Sequence, residues 1–268
     1  MRVRDKPQLA VRTLRLHHIE SGTGPPVILL HGLFGSARNF GMVQRALAQL
    51  FRVIAMDARN HGASPHAAGM RYAMLAADVL ETMDALGVER TVVIGHSMGG
   101  KTAMTLAIMA PERVGRLLVA DIAPVPYQHA NNSVADAMRA IKLHAGLARA
   151  EAEAALTAAV PLAAVRTFLI QNLQFGAQPH WRIGLDEIAA AIPDLEGWET
   201  PMGTYSGPTL FVSGAQSNYV LPEHRQIIRA LFPAARFVSV KNAGHWVHAD
   251  NPAGFLSVVE AFLHDWKG

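Results

Sequence analysis

The chain has 268 residues, 50% hydrophobic and 17% charged, and its 24 Lys and Arg against 21 Asp and Glu give a formal charge of +3. That length and apolar content suit one large α/β unit with an insertion, able to bury a substantial core. The absence of cysteine excludes disulfides and thiolate chemistry, and the scattered Lys and Arg, with no basic block or interleaved aromatics, exclude a nucleic-acid face. No uninterrupted apolar run reaches membrane-spanning length, and the charged start Met1–Lys6 has no apolar signal core behind it. A cytoplasmic protein with neither nucleic-acid nor membrane partners is expected.

In chain order, Val11–Ile19 reads as a leading antiparallel strand region. Gly22–Pro26 is a turn and not a phosphate loop, since no Gly-Lys-Ser/Thr follows it. Val27–His31 is an apolar run of buried-strand length, followed by helix Asn39–Leu50, strand Phe51–Asp57 and helix Tyr72–Leu86. Strand Thr91–Gly95, helix Met98–Ala110 (stopped by Pro111) and strand Arg116–Asp121 continue the alternation. The rhythm breaks between Asp121 and Pro208. Ala145–Val160 and Leu162–Phe175 read as helices there, before a return marked by Trp198 and Pro201. It resumes with strand Thr209–Gly214, helix Pro222–Leu231, strand Arg236–Val240 and helix Pro252–His264. The pattern predicts an α/β fold with a mostly parallel central sheet flanked by helices. Residues 1–123 and 204–268 would form the core, and 124–203 a helical cap inserted at the carboxyl edge of the sheet.

The run Gly95-His96-Ser97-Met98-Gly99-Gly100 lies at a strand-to-helix turn. Glycines on both sides let the chain turn sharply enough to present the Ser97 hydroxyl at the sheet edge, above a helix N-terminus. That is how a serine is offered to an acyl carbon. Attack creates an oxyanion, which two backbone N–H groups must meet. One donor is Met98, directly after the nucleophile. The other comes from His31-Gly32-Leu33-Phe34-Gly35-Ser36, with Leu33 the first choice and Phe34 the alternative.

A general base should stand in the loop after the last strand, and His245 in Asn242-Ala243-Gly244-His245-Trp246-Val247-His248 fits. His248 could be mistaken for it or for half of an H-x-x-H metal pair, but with no third ligand in sight no metal site is expected. No cofactor is expected either. His17 and His18 read as strand-surface residues and His264 as a residue of the terminal helix. Lys101, one helical turn beyond Ser97, reads as an ordinary helix lysine that snorkels or pairs with a carboxylate. Arg59, Asn60 and His61 either border the pocket or form a hydrogen-bonded loop cluster.

Over nearly its whole length the chain resembles the α/β-hydrolase superfamily, and more narrowly the small bacterial short-chain carboxylesterases and their mitochondrial abhydrolase-domain relatives. The residues carrying that likeness are His31–Ser36, Asp57-Ala58-Arg59-Asn60-His61-Gly62, Gly95–Lys101, Asp121-Ile122-Ala123-Pro124-Val125 and Gly244–His248. One departure stands out. The superfamily's acid usually follows the next-to-last strand, at the third residue after a glycine; here that position is Ser217, and no carboxylate lies between Leu210 and Leu221. An imidazole base needs an anionic partner to fix its tautomer. Asp121, at the carboxyl end of Leu117–Ala120 and on the same sheet edge as Ser97, supplies one, in the chain order Ser97, Asp121, His245. The small esterases just named likewise draw their acid from the strand after the nucleophile helix.

These residues imply a serine hydrolase acting on small-molecule carboxylic esters or thioesters of short to medium acyl groups. Phe34 and the aromatics Phe168, Phe175, Trp181 and Trp198 would line its acyl pocket. A cofactor-free perhydrolase or haloperoxidase, a lyase on the same scaffold and a non-catalytic ligand receptor are the alternative readings.

Overall fold

Strands flanked on both faces must be apolar throughout, and helices on one stripe only; the chain alternates between these two patterns. The computed structural model describes residues 13–127 and 131–268. The first half runs β1 (His18–Ser21), β2 (Pro26–Leu30), α1 (Gly41–Leu47), β3 (Arg52–Met56), α2 (Tyr72–Ala85), β4 (Thr91–His96), α3 (Met98–Met109) and β5 (Val114–Ala120). Next come α4 (Asn131–Ala140), α5 (Arg149–Ala155), α6 (Ala163–Ile170), the hairpin β6 (Leu173–Gln174) and β7 (His180–Trp181), and α7 (Leu185–Glu196). The chain closes with β8 (Thr209–Gly214), α8 (His224–Leu231), β9 (Ala235–Val240), α9 (Val247–Asp250) and α10 (Pro252–Leu263).

Seven strands form one sheet in the order β1-β3-β2-β4-β5-β8-β9, with β1 antiparallel to β3 and every other neighbouring pair parallel. Of the strand region expected at Val11–Ile19, Val11 and Arg12 lie outside the described residues, and the paired strand itself begins later, at His18. Alternate residues of each strand feed opposite faces. Ile28, Ile54, Val93 and Val119 pack against α2, α3 and α8, whereas Val27, Val53, Val92 and Leu118 pack against α1 and α10. Because the strands run parallel, the loops after β2, β4, β5 and β9 all emerge at one carboxyl edge. That edge brings residues from four distant stretches of sequence together.

The long interval before β8 differs in detail from expectation. Helix is confined to Arg149–Ala155 within Ala145–Val160, and to Ala163–Ile170 within Leu162–Phe175, where the chain turns into the β6–β7 hairpin. Two further helices, α4 and α7, had not been expected. In α7, Leu185, Ile188, Ala191, Ile192 and Leu195 are buried at helical spacing, and Pro193 is tolerated near the end of the helix. These elements share a third apolar cluster with Phe34, Tyr72, Leu75 and Met98, which seats the inserted segment on the carboxyl edge.

Candidate active site

Ser97 joins β4 to α3 with φ of 54°, in the left-handed region that costs a side-chain-bearing residue. Its N–H donates to Ala120 O at 3.0 Å, and its carbonyl accepts the Lys101 N–H at 3.0 Å. The flanking glycines are required by close approach. A Cβ on Gly95 would lie 2.1 Å from Gly99 O, and one on Gly99 would lie 2.2 Å from Leu30 O. No larger residue fits either place.

From this turn a line of hydrogen bonds runs inward. Ser97 Oγ is 3.1 Å from His245 Nε2, and His245 Nδ1 is 2.8 Å from Asp121 Oδ2. A carboxylate only accepts, so Nδ1–H donates to Asp121 and the Nε2 lone pair is left facing the Ser97 hydroxyl. Asp121 is fully buried; its Oδ1 accepts the Gly214 N–H at 3.0 Å, and its Oδ2 also accepts the Ser217 hydroxyl. Ser217, at the position where the superfamily's acid usually stands, therefore touches the carboxylate from β5. Sequence reasoning had given Ser217 no such contact.

Two more groups hold the imidazole. The Tyr219 ring stacks on it at 3.7 Å between centroids and 18° between planes. The His96 Nε2–H donates to the His245 carbonyl at 2.8 Å, and burial keeps the His96 pKa well below 6.5, so this ring stays neutral. His248 is also buried, stacked on Phe40 at 4.8 Å, and burial pushes its pKa down to about 4. Among the described residues no group of three or more His, Cys, Asp or Glu is placed to hold a metal ion. No helix among them is long and apolar enough to cross a membrane.

The loop after β2 lies opposite. Phe34 N–H donates to His61 Nε2 at 3.1 Å and so is already engaged. No hydrogen bond among the described residues engages the N–H of Leu33, or that of Met98 at the first position of α3, where helical amides lack an internal acceptor. Asp78, Gly69 O and Ala67 O take the Arg59 and Asn60 side chains, and neither of these nor His61 lines the cavity, so Arg59–His61 form a loop cluster. His17 is exposed beside β1, as expected of a strand-surface residue, and it also meets Asp57 Oδ2 at 2.7 Å.

Ser97 opens onto a cavity of ≈ 490 Å³ whose walls include Leu33, Phe34, Met98, Val134, Phe168 and Trp246. Of the aromatics expected in its wall, Phe34 and Phe168 are present, and Phe175, Trp181 and Trp198 are not. Phe175 lies beneath the Arg149 guanidinium at 5.2 Å, Trp181 is paired with Leu173 in the hairpin, and Trp198 packs toward Tyr72 at 6.2 Å. Phe175 and Trp181 pack within the inserted segment, and Trp198 packs against the core.

Lys101 also departs from expectation. It is only 1% exposed, neither snorkelling nor bonded to a carboxylate. Its ammonium donates to Gly197 O at 2.6 Å and Glu196 O at 3.2 Å at the end of α7, beside the rings of Tyr127 (4.9 Å) and Tyr72 (5.5 Å). Burial lowers its pKa to about 7, against a smaller raising effect of Glu196.

A serine, an imidazole and a buried carboxylate joined at the carboxyl edge of a parallel sheet are suited to nucleophilic attack on a carbonyl carbon. The family model described as "alpha/beta hydrolase fold" matches residues 25–252, and the chain belongs to that family. Among curated relatives, it is 43% identical over 251 residues to the Mus musculus protein named sn-1-specific diacylglycerol lipase ABHD11, covering 90% of this chain and 81% of the relative. It is 35% identical over 241 residues to Esterase YbfF of Escherichia coli, covering 90% of this chain and 93% of that protein. A solved structure described as a marine microorganism esterase matches with a TM-score of 0.90 and 34% identity, over 94% of this chain and 100% of that one.

Proposed function

We propose that this α/β hydrolase cleaves carboxylic esters or thioesters of short to medium acyl groups through an acyl-enzyme on Ser97. The observation that carries the reading is the hydrogen-bonded line from Ser97 Oγ through His245 to buried Asp121. The names of the relatives, a diacylglycerol lipase and an esterase, support an ester as the substrate. Residues 1–123 and 204–268 act as the core, and 124–203 as a cap over the cavity.

In this mechanism His245 Nε2 takes the Ser97 proton as Oγ adds to the ester carbonyl. The oxyanion is received by the N–H groups of Leu33 and Met98, both free to donate. Asp121 keeps Nδ1 protonated and offsets the charge of the imidazolium, whose Nε2–H then passes to the departing alkoxide or thiolate. Water, deprotonated by the same imidazole, attacks the acyl carbon, and collapse of the second tetrahedral intermediate returns the proton to Ser97 Oγ. Each group holds at its end the proton it held at the start.

Turnover of p-nitrophenyl esters of graded acyl length, run beside peroxide-dependent halide oxidation, tests the assignment. Ester hydrolysis with no halide oxidation is the expected result. Halide oxidation without ester turnover would replace this reading with the perhydrolase one.

A further inference from the structure

Phe34, like Ser97 and Asp121 on the same edge, has a left-handed backbone, with φ of 60°. The Gly35 N–H donates to Gly32 O at 3.0 Å, closing a four-residue turn with Leu33 and Phe34 at its centre. A positive φ at the third residue of such a turn is normally left to Gly or Asn, because a Cβ there crowds the backbone. A phenylalanine keeps that conformation only if its surroundings impose it.

Two side chains do so, one on each side of the residue. On the amide side, His61 Nε2 accepts the Phe34 N–H at 3.1 Å. Its other nitrogen faces Arg59 O at 2.9 Å, so Nδ1 carries the proton and Nε2 the lone pair. On the carbonyl side, Asn172 Nδ2 donates to Phe34 O at 2.8 Å, across 138 residues of sequence. Asn172 is itself buried and held, since Nδ2 also reaches Leu169 O at 3.2 Å and its backbone carbonyl accepts the Arg182 N–H at 2.8 Å. His61 belongs to the core; Asn172 lies between α6 and β6, in the inserted segment. It is the inserted segment's polar grip on the loop that carries Leu33.

We propose that Asn172 is a positioning residue for acyl transfer: its bond to the Phe34 carbonyl keeps the turn in the form that aims the Leu33 N–H at the oxyanion. The inserted segment then does more than cover the cavity, because it completes the receptor for developing charge. The proposal rests on the serine-hydrolase reading above. Its substrate consequence is specific. Asn172 never touches the substrate, so its loss should weaken the tetrahedral state and leave ground-state binding alone.

Two variants of similar size remove the donor, Asn172→Leu and Asn172→Asp. With p-nitrophenyl acetate, kcat should fall roughly ten- to a hundred-fold, less than the 10²–10³ that follows deletion of an oxyanion donor itself, with KM within about two-fold. Butyl trifluoromethyl ketone, which adds to a serine to give a charged tetrahedral adduct, should bind more weakly by about the factor lost in kcat. Butyl methyl ketone, which binds without adding, should be unaffected. The ratio of the two ketone affinities is read on the folded fraction, so partial unfolding lowers both binding capacities and leaves the ratio unchanged.

Phe34→Gly adds a second readout, since glycine accepts positive φ without strain. In that background the kcat loss from Asn172→Leu should shrink by several-fold, whereas a role confined to holding the inserted segment would give the same loss in both backgrounds. An unchanged ketone ratio, or equal losses with Phe34 and Gly at that position, would overturn the proposal. If Ser97→Ala kept its ester turnover, the parent reading would fall and this one with it. If Ser97→Ala were inactive while the Asn172 variants kept the wild-type ketone ratio, only the positioning role would fall.

Discussion

Lys101→Met tests the energetics of the buried ammonium beneath α7. Its pKa is lowered from the ordinary 10.5 to about 7 by burial. The unfolded chain therefore binds more protons than the folded one between those two values, so stability rises with pH across that window. The whole difference corresponds to about 5 kcal/mol, nearly all of it weighing on the folded state at pH 6 and about 2 kcal/mol still weighing at pH 9. Lys101 alone should thus make the wild type about 3 kcal/mol more stable at pH 9 than at pH 6. Two of the groups facing it stay outside the window. Burial raises Tyr72 and Tyr127 well above the usual phenol range, keeping both neutral through pH 9. Methionine fills the same space without the charge but leaves the Glu196 and Gly197 carbonyls without their donor, a cost of about 1–3 kcal/mol per carbonyl that does not vary with pH. Buried neutral histidines such as His61 and His248 contribute equally to both proteins and cancel. Urea denaturation at pH 6 and pH 9 measures both stabilities. The variant should lose about 3 kcal/mol relative to wild type on going from pH 6 to pH 9. A stability difference that is the same at the two pH values would mean that Lys101 carries no buried-charge penalty.

Asp121→Asn should keep the fold yet present an amide to His245 Nδ1, favouring the wrong imidazole tautomer; kcat should drop by a factor on the order of 10²–10⁴, measured with p-nitrophenyl acetate, while Ser217→Ala should cost far less, since its hydroxyl only supports the carboxylate. Phe168→Ala should shift acyl chain-length preference in an ester series, because Phe168 lines the cavity, whereas Trp181→Ala should lower the melting temperature without changing that preference, because Trp181 packs in the hairpin.

The sheet was legible because its strands are apolar runs with a single fate: Val27–Leu30 and Val92–Ile94 are buried on both faces and admit no other reading. The inserted segment was less legible. α7 has helical spacing in Leu185, Ile188 and Leu195, but Gly184, Pro193 and Gly197 around it are also turn signals. Within Ala145–Val160 the alanines favour helix throughout, yet Gly146 takes φ of 82° and the helix forms only over Arg149–Ala155. At the site, Ser97 and Asp121 could be picked out because each follows an apolar strand, and His245 because it lies in the loop after the last strand; parallel strands end on one edge. Lys101, Ser217 and Asn172 could not, since the burial of a lysine or the reach of an asparagine depends on where a distant segment folds back. Aromatic identity carries no direction either: Phe168 lines the cavity and Trp198 does not, although both are large aromatics of the same inserted stretch.

Labelling with an alkyl fluorophosphonate reads whether Ser97 is the residue that forms the covalent intermediate. Intact-protein mass spectrometry should find one phosphonyl group per chain, peptide mapping should place it on Ser97, and Ser97→Ala should take up none. A phosphonyl group on another residue, or undiminished labelling of Ser97→Ala, would mean that the nucleophile is not Ser97.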